Sequence, residues 1–368
     1  MNILRSIGAI GAATVLLSAS VRAQGPGGIL PTPQDTPNRQ GTRGANFLHL
    51  GIGARGGAMA GAVGGSVSGP TGWFWNPAGA ATSEGFALAA GRQNLYEELG
   101  LEQTYAAGSI PLLGGVVGVH LNTLGSGPIR RTSEANPFGE QLGGSTFEWT
   151  STVVGLGYAR RLTDRLNVGG QIKYITEGIP DASTNWMAFD IGTQFNTGLY
   201  GLTLGGAIQN IGGQARANGA LIQRLITTAD GSQIPEQRRV QFFTRETELP
   251  VEFRLSVGAD IMGGANSILG GAGGKHLMIA ELSVTDATDY STQYAIGAEY
   301  GFRNLLFVRG GKRMYNDDRD RGDAGQVGLT GGFGLRLPVL GRNVRFDYSY
   351  EAAGALQNIQ VFSFEVGK

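Results

Sequence analysis

In the stretch "PVEFRLSVGADI", Val251, Phe253, Leu255, Val257, Ala259 and Ile261 alternate with Glu252, Arg254, Ser256, Gly258 and Asp260. A period of two puts one kind of side chain on each face of a β-strand. Val344, Phe346, Tyr348 and Tyr350 alternate in the same way with Arg345, Asp347, Ser349 and Glu351. Val327, Leu329, Phe333, Leu335 and Leu337 face away from Gln326, Thr330 and Arg336, and Tyr294, Ile296, Ala298 and Tyr300 face away from Gln293 and Glu299. Candidate strands start near residues 86, 101, 114, 147, 165, 185, 199, 249, 274, 290, 304, 323, 341 and 357, about 14 in all. Several run about 10 to 14 residues, whereas soluble strands average about 5 or 6 and a tilted membrane strand needs about 9 to 11. The pattern predicts an all-β fold, a transmembrane antiparallel β-barrel whose even strand count suits a single bacterial chain.

The connections fit that reading. "PLLGG", "LTDRL", "NTGLYG", "FRN" and "PVLGR" are short, with "MGGANSILGGAGG" a longer exception, and they fall at alternate junctions. The junctions between them include "GSGPIRRTSEANPFGEQLGGST", the span from Gly212 to Glu248, and "YNDDRDRGDA". Short periplasmic turns and long external loops are the habit of outer-membrane barrels.

The N-terminus supplies the route to that membrane. Arg5 precedes the apolar run "IGAIGAATVLLSAS", and "VRA" before Gln24 offers small residues for cleavage, so residues 1–23 read as a Sec-type signal peptide. The run is shorter than the roughly 20 residues of a membrane helix. Hydrophobic content is 41%, Gly numbers 63 and Cys 0, which suits a barrel with no disulfide framework. Removing Arg5 and Arg22 with the signal leaves 27 basic against 29 acidic residues, a balance that argues against nucleic acid or another polyanion as partner. The expected layout is a signal at 1–23, a flexible segment at 24–45, a plug at 46–85 and a barrel at 86–368, located in the outer membrane of a Gram-negative-type bacterium and in contact with its lipid.

Inside a barrel the polar face becomes a lumen. Lys173, Asp190, Glu252, Arg254, Asp260, Glu299, Arg336, Arg345 and Asp347 should point inward and pair across strands. The segment "NFLHLGIGARGGAMAGAVGGSVSGPTG" is too rich in glycine for a long helix and stands before the first strand, so it should fold into the lumen. Trp73, Phe74 and Trp75 would wedge it, and Asn76-Pro77 would turn the chain before Gly79.

Four stretches, "FLHLGIGARGGAMAGA", "WNPAG", "LPVEFRLSVGAD" and "LRLPVLGRNVRFDYSYEAAGALQNIQVFSFEVG", together resemble the PorV/PorQ family, relatives of the FadL-type outer-membrane barrels. The likeness runs from about Phe47 to the C-terminus with the motifs in family order. It implies about 14 strands with an N-terminal plug, and Gly53, Arg55, Trp73, Trp75, Asn76, Pro77 and Gly79 as the plug motif. It further implies a non-enzymatic role in type IX secretion, binding translocon subunits and secreted cargo. The chain departs from the family in lacking acidic residues in "GGSVSGPTG" and in ending "VFSFEVGK" rather than on an aromatic residue.

Other chemistry is thinly represented. "GIGARG" lacks the preceding strand of a dinucleotide site, and "GGAGGKH" lacks the Ser or Thr and the first Gly of a P-loop. His49, His120 and His276 share no ligand spacing, so neither metal nor cofactor is expected. Asp317, Asp318, Asp320 and Asp323 in the acidic loop at 316–323 could offer oxygens to calcium, although the EF-hand pattern is absent. Arg238, Arg239 and Arg245 surround Phe242 and Phe243 in the long loop, a candidate partner-binding surface. Three functions follow, the secretion accessory leading: the alternatives are a FadL-like transporter of hydrophobic small molecules and a surface enzyme acting on lipid A, for which no Ser-His pairing is spaced suitably.

Overall fold

The computed structural model describes residues 41–96, 99–132, 136–138, 145–228, 236–264, 266–270, 275–315, 327–354 and 356–367. The signal at 1–23, most of the 24–45 segment and the acidic loop at 316–323 lie outside the described residues.

In chain order the strands are β1 (Ala87–Leu95), β2 (Leu101–Leu112), β3 (Gly115–Gly125), β4 (Ile129–Arg130), β5 (Thr146–Phe147), β6 (Thr150–Arg161), β7 (Leu166–Ile179), β8 (Ala182–Asn196) and β9 (Leu202–Gly212). They continue with β10 (Gln223–Thr228), β11 (Glu236–Gln241), β12 (Glu252–Met262), β13 (His276–Ala287), β14 (Tyr290–Phe302), β15 (Leu306–Tyr315), β16 (Leu329–Val339), β17 (Arg342–Gly354) and β18 (Gln357–Gly367). The pairs β4–β5 and β10–β11 are hairpins within long loops, and the other 14 close into one barrel. Neighbours run antiparallel, and β1 seals against β18 from Leu88↔Val366 to Leu95↔Ile359. The expected all-β, 14-stranded architecture is the one observed.

The two faces separate as the alternation requires. On β12, Phe253 is 43% exposed on the outside while Arg254 is 7% exposed in the lumen. Val154 and Leu156 on β6, Met187, Phe189 and Ile191 on β8, and Leu282 and Val284 on β13 extend the same apolar outer band. This band is the surface that hydrocarbon covers in an outer-membrane barrel. One interruption of the ladder is built from side chains. Between Phe189 and Ile191 the β8–β9 register shifts, with Asn210 in the left-handed region at φ 62°. The Asn210 amide donates to Asp190 Oδ1 at 2.7 Å in place of a ladder bond, and Lys173 Nζ lies 2.8 Å from the same carboxylate.

The turns at 113–114, 162–165, 197–201, 303–305 and 340–341 lie at one end with the longer 263–275 connection, and the loops carrying β4–β5 and β10–β11 lie at the other. That second end also has the tight β7–β8, β13–β14 and β17–β18 connections, so its long loops rise from only part of the rim. Val257 is mid-strand and outward. Val257→Arg should destabilise the folded barrel by about 2–4 kcal/mol, while Leu340→Arg on a turn tip leaves it unchanged. Urea titration of the faster-migrating unboiled gel band measures both, and equal losses would mean the faces are misassigned.

Candidate functional site: the plugged lumen

The segment before β1 occupies the lumen as short pieces: a 3-10 turn at Asn46–His49, α1 (Ala54–Ala58), a 3-10 turn at Gly69–Thr71, α2 (Gly72–Trp75) and a 3-10 turn at Pro77–Thr82. Glycine density keeps each piece to a turn or so. The attachment starts before residue 46. Arg43 pairs with Glu248, Gly44 N–H donates to Glu248 O at 2.9 Å, and Ala45 N–H donates to Glu177 Oε1 at 3.2 Å, all at the long-loop end. The segment then runs down the lumen to the short-turn end, where β1 begins.

Each tryptophan of "GWFWNP" has its own seat, and the half-buried Phe74 packs edge-on against Trp75 at 5.1 Å. Trp73 is fully buried and donates through Nε1 to Ser109 Oγ at 2.9 Å. Its indole lies against Gly118 and Gly157, where any Cβ would overlap the ring, so these wall glycines are the socket. Trp75 donates to Ile52 O at 3.0 Å, packs with Met59, Val63 and Val67, and lies 4.9 Å from the Arg254 guanidinium. Asn76 joins three elements. Its Nδ2 donates to Gly64 O and Thr193 O, each at 2.9 Å, and its Oδ1 caps the Pro77–Thr82 turn through Ala78 N–H at 3.1 Å. Gly79 packs against Val67, and Gly53, at φ 76°, starts α1.

Wall side chains complete the plug's backbone hydrogen bonds. Gln171 donates to Trp73 O at 2.6 Å, Gln209 to Phe74 O at 2.5 Å and Gln194 to Val67 O at 2.9 Å. Glu281 accepts from Gly65 N–H at 2.7 Å, Ser363 accepts from Ala54 N–H at 3.1 Å, and Thr330 donates to Ala58 O at 2.7 Å. Of these partners only Thr330 was placed on the polar face from sequence; the three glutamines are signalled by their inward strand positions in "GGQIKY", "GTQF" and "AIQN". The inward charges form a ladder. Plug residue Arg55 lies 3.0 Å from Glu299, which Arg309 meets at 2.5 Å; Arg309 also meets Asp347 at 2.7 Å, as does Arg345. Arg254 stands apart from that ladder, paired with Glu252. Asp260, toward the short-turn end, has no ion-pair partner among the described residues.

His49 clamps the other side of the plug. Its Nδ1 lies 3.2 Å from Glu252 Oε2 at the start of β12, its Nε2 lies 3.1 Å from Asp289 Oδ1 in the β13–β14 turn, and its ring meets Tyr290 edge-on at 4.5 Å. Burial alone would lower the imidazole pKa, but the Asp289 and Glu252 carboxylates outweigh it and raise the value to about 9. At neutral pH the ring is therefore a cation shared by two acids, with Arg254 behind Glu252.

In fold, the barrel is similar to the toluene transporter TodX of Pseudomonas putida. The two superpose with a TM-score of 0.51 at 10% identity, over 86% of this chain and 96% of that one. The toluene transporter TbuX of Ralstonia pickettii and a FadL homologue of Pseudomonas aeruginosa align at TM-scores of 0.48 and 0.47, with 13% and 12% identity, each over 86% of this chain and 97% of its own. No family model and no curated protein sequence matches the chain. The closed 14-stranded barrel thus shares its fold with TodX and is that of an outer-membrane protein.

The partner-loop residues sit outside the lumen. Phe243 is 89% exposed with Arg216 at 5.3 Å from its ring, and Phe242 is exposed with Arg224 at 5.8 Å. Arg239 and Arg245 are exposed beside them, whereas the Arg238 side chain lies outside the described residues.

The His49 clamp has a pH signature. A raised pKa means that its stabilisation is complete below about 6.5, the unfolded value, and is lost as pH rises through about 9. Thermal unfolding between pH 6 and pH 10 should show wild type losing roughly 3 kcal/mol more than His49→Gln over that window. Parallel curves would show that His49 does not clamp the plug.

Proposed function

We propose that the barrel moves hydrophobic small molecules across the outer membrane, and that they pass when the plug shifts against the wall. The observation that carries this reading is the apolar seam between plug and wall. At the long-loop mouth Phe47 and Leu48 of the plug meet Val153, Ile175, Trp186 and Leu249 of the wall. Deeper, Ile52 meets Ala89 and Tyr105, and Trp73 meets Ala107, Val116 and Ala159 toward the short-turn end. These clusters offer apolar steps along an otherwise polar lumen. The plug's polar fastenings suit movement, because each bond given up to water costs only about 1 kcal/mol net. Similarity in fold to toluene transporters supports the same substrate class.

The chain has no cysteine, so a lock can be introduced cleanly. A Cβ placed on Gly57 of α1 lies 3.7 Å from Ser349 Cβ on β17, close to the roughly 3.8 Å typical of a disulfide. Liposomes carrying Gly57→Cys/Ser349→Cys protein should take up toluene when it is reduced and not when it is oxidised, while wild type ignores the oxidant. Uptake through the oxidised barrel would reject plug movement, and no uptake by wild type would reject transport.

A second reading is favoured by the exposed arginine-braced phenylalanines of the β10–β11 loop. Here the barrel binds protein through its external loops, as the PorV/PorQ resemblance implies for type IX secretion. Replacing residues 216–246 by a few glycines should leave the barrel folded, since loop closure depends weakly on length. On this reading it abolishes pull-down of secreted cargo or translocon subunits; unchanged pull-down removes it.

A further inference from the structure

The lipid-facing wall is not uniform. Where the last strands close on the first, three registers cross β17, β18, β1 and β2 side by side. The lowest places Phe346, Phe364, Ala90 and Ala106 in a row. The next places Tyr348, Phe362, Arg92 and Thr104, and the one nearest the long-loop end places Tyr350, Gln360, Asn94 and Glu102. Large rings on β16 to β18 stand beside an alanine shelf on β1 and β2, which leaves a groove of about 880 Å³ open to the outside. Phe333 and Tyr348 meet with ring centroids 5.4 Å apart, Tyr348 and Phe362 at 5.0 Å, and Phe346 and Phe364 at 5.2 Å, all tilted, so its bank is an aromatic ridge.

Polarity is graded along this groove. Its lower row is wholly apolar. Its upper end is lined by Arg92, 62% exposed, with Thr104 and Tyr348. The row just beyond it supplies Asn94, Glu102, 2.5 Å from Arg92, and Gln360, which accepts from the Tyr348 hydroxyl at 3.3 Å. A guanidinium and a carboxylate on the outer wall are costly against hydrocarbon and favourable against a polar headgroup.

We infer that this groove is a binding site for one lipid of the outer leaflet, with an acyl chain along the Phe346–Phe364–Ala90–Ala106 row and the headgroup at Arg92, Glu102 and Gln360. Three observations select that occupant. The groove is continuous with the apolar band that membrane lipid already covers. Its volume falls in the roughly 300–1,000 Å³ range of small-ligand sites. Its polar end lies toward the long-loop mouth, where outer-leaflet headgroups are. The paired Arg92 and Glu102 offer both a donor and an acceptor, which matches a head carrying phosphate and hydroxyl groups, such as lipid A, better than a free fatty acid. The site lies outside the barrel and is independent of passage through the lumen.

Native mass spectrometry of barrel exchanged into detergent with lipid A tests this. Wild type should retain one lipid. Ala90→Trp and Ala106→Trp, which fill the shelf, should lose it, and Val257→Trp on another part of the wall should keep it, all three showing the faster-migrating unboiled band. Arg92→Ala removes a charge-assisted contact and should weaken retention about tenfold. Equal retention by wild type and the shelf variants overturns the site. So does a wild-type dimer that the shelf variants dissociate, since the occupant would then be a second copy, and so does displacement of the lipid by toluene, which would make the groove a solute site. Retention unchanged by Arg92→Ala overturns the headgroup assignment.

Discussion

Hydrocarbon offers no hydrogen bonds, and every peptide group that crosses it must be satisfied by the chain itself. This constraint accounts for the closure of β1 on β18 and for the care taken at the β8–β9 irregularity. There the carboxylate of Asp190 takes the Asn210 amide that the ladder leaves unpaired. The buried charge this places in the wall is balanced by Lys173, itself held by Asn210. A local break in regular pairing is thereby turned into part of the lumen lining.

Closure creates a second requirement, because the inside of the cylinder must also be filled. A chain of ordinary side chains could not fit beside a wall of ordinary side chains. The solution is reciprocal. Glycines on the plug let its backbone approach the wall, and glycines on the wall, Gly118 and Gly157 above all, make room for the indole of Trp73. The remaining contacts are hydrogen bonds from inward Gln, Ser and Thr side chains to plug peptide groups, with ion pairs at Arg55 and His49. Such an interface specifies one seating of the plug through many directional contacts, each individually exchangeable with water.

The alternation of apolar and polar residues on the lipid side serves more than insertion. Where the first and last strands meet, side-chain size changes abruptly from phenylalanine to alanine, and polar groups crowd the outer end. The lipid-facing surface therefore carries its own shape and chemistry, separate from those of the lumen.

Period two along each strand, together with strand length and the alternation of short and long connections, was enough to determine that the chain is a barrel, that it has about 14 strands, and which residues face lipid. Those properties follow from pleat geometry, which acts between neighbours in sequence. Val257 and Arg254 could be assigned to opposite faces without knowing what either touches. The glycine-rich run with "GWFWNP" was likewise legible as a segment apart from the strands, because no strand or long helix suits it. Contacts between distant residues were not legible. His49 meets Glu252 and Asp289 across 203 and 240 positions, and Ala90 meets Phe364 only because the first strand pairs with the last. Strand stagger around a closed barrel sets which inward residues share a level, and that stagger depends on all the junctions together. The sequence by itself thus determined the wall and its faces, while only the tertiary structure decided the clamp on the plug and the groove on the lipid side.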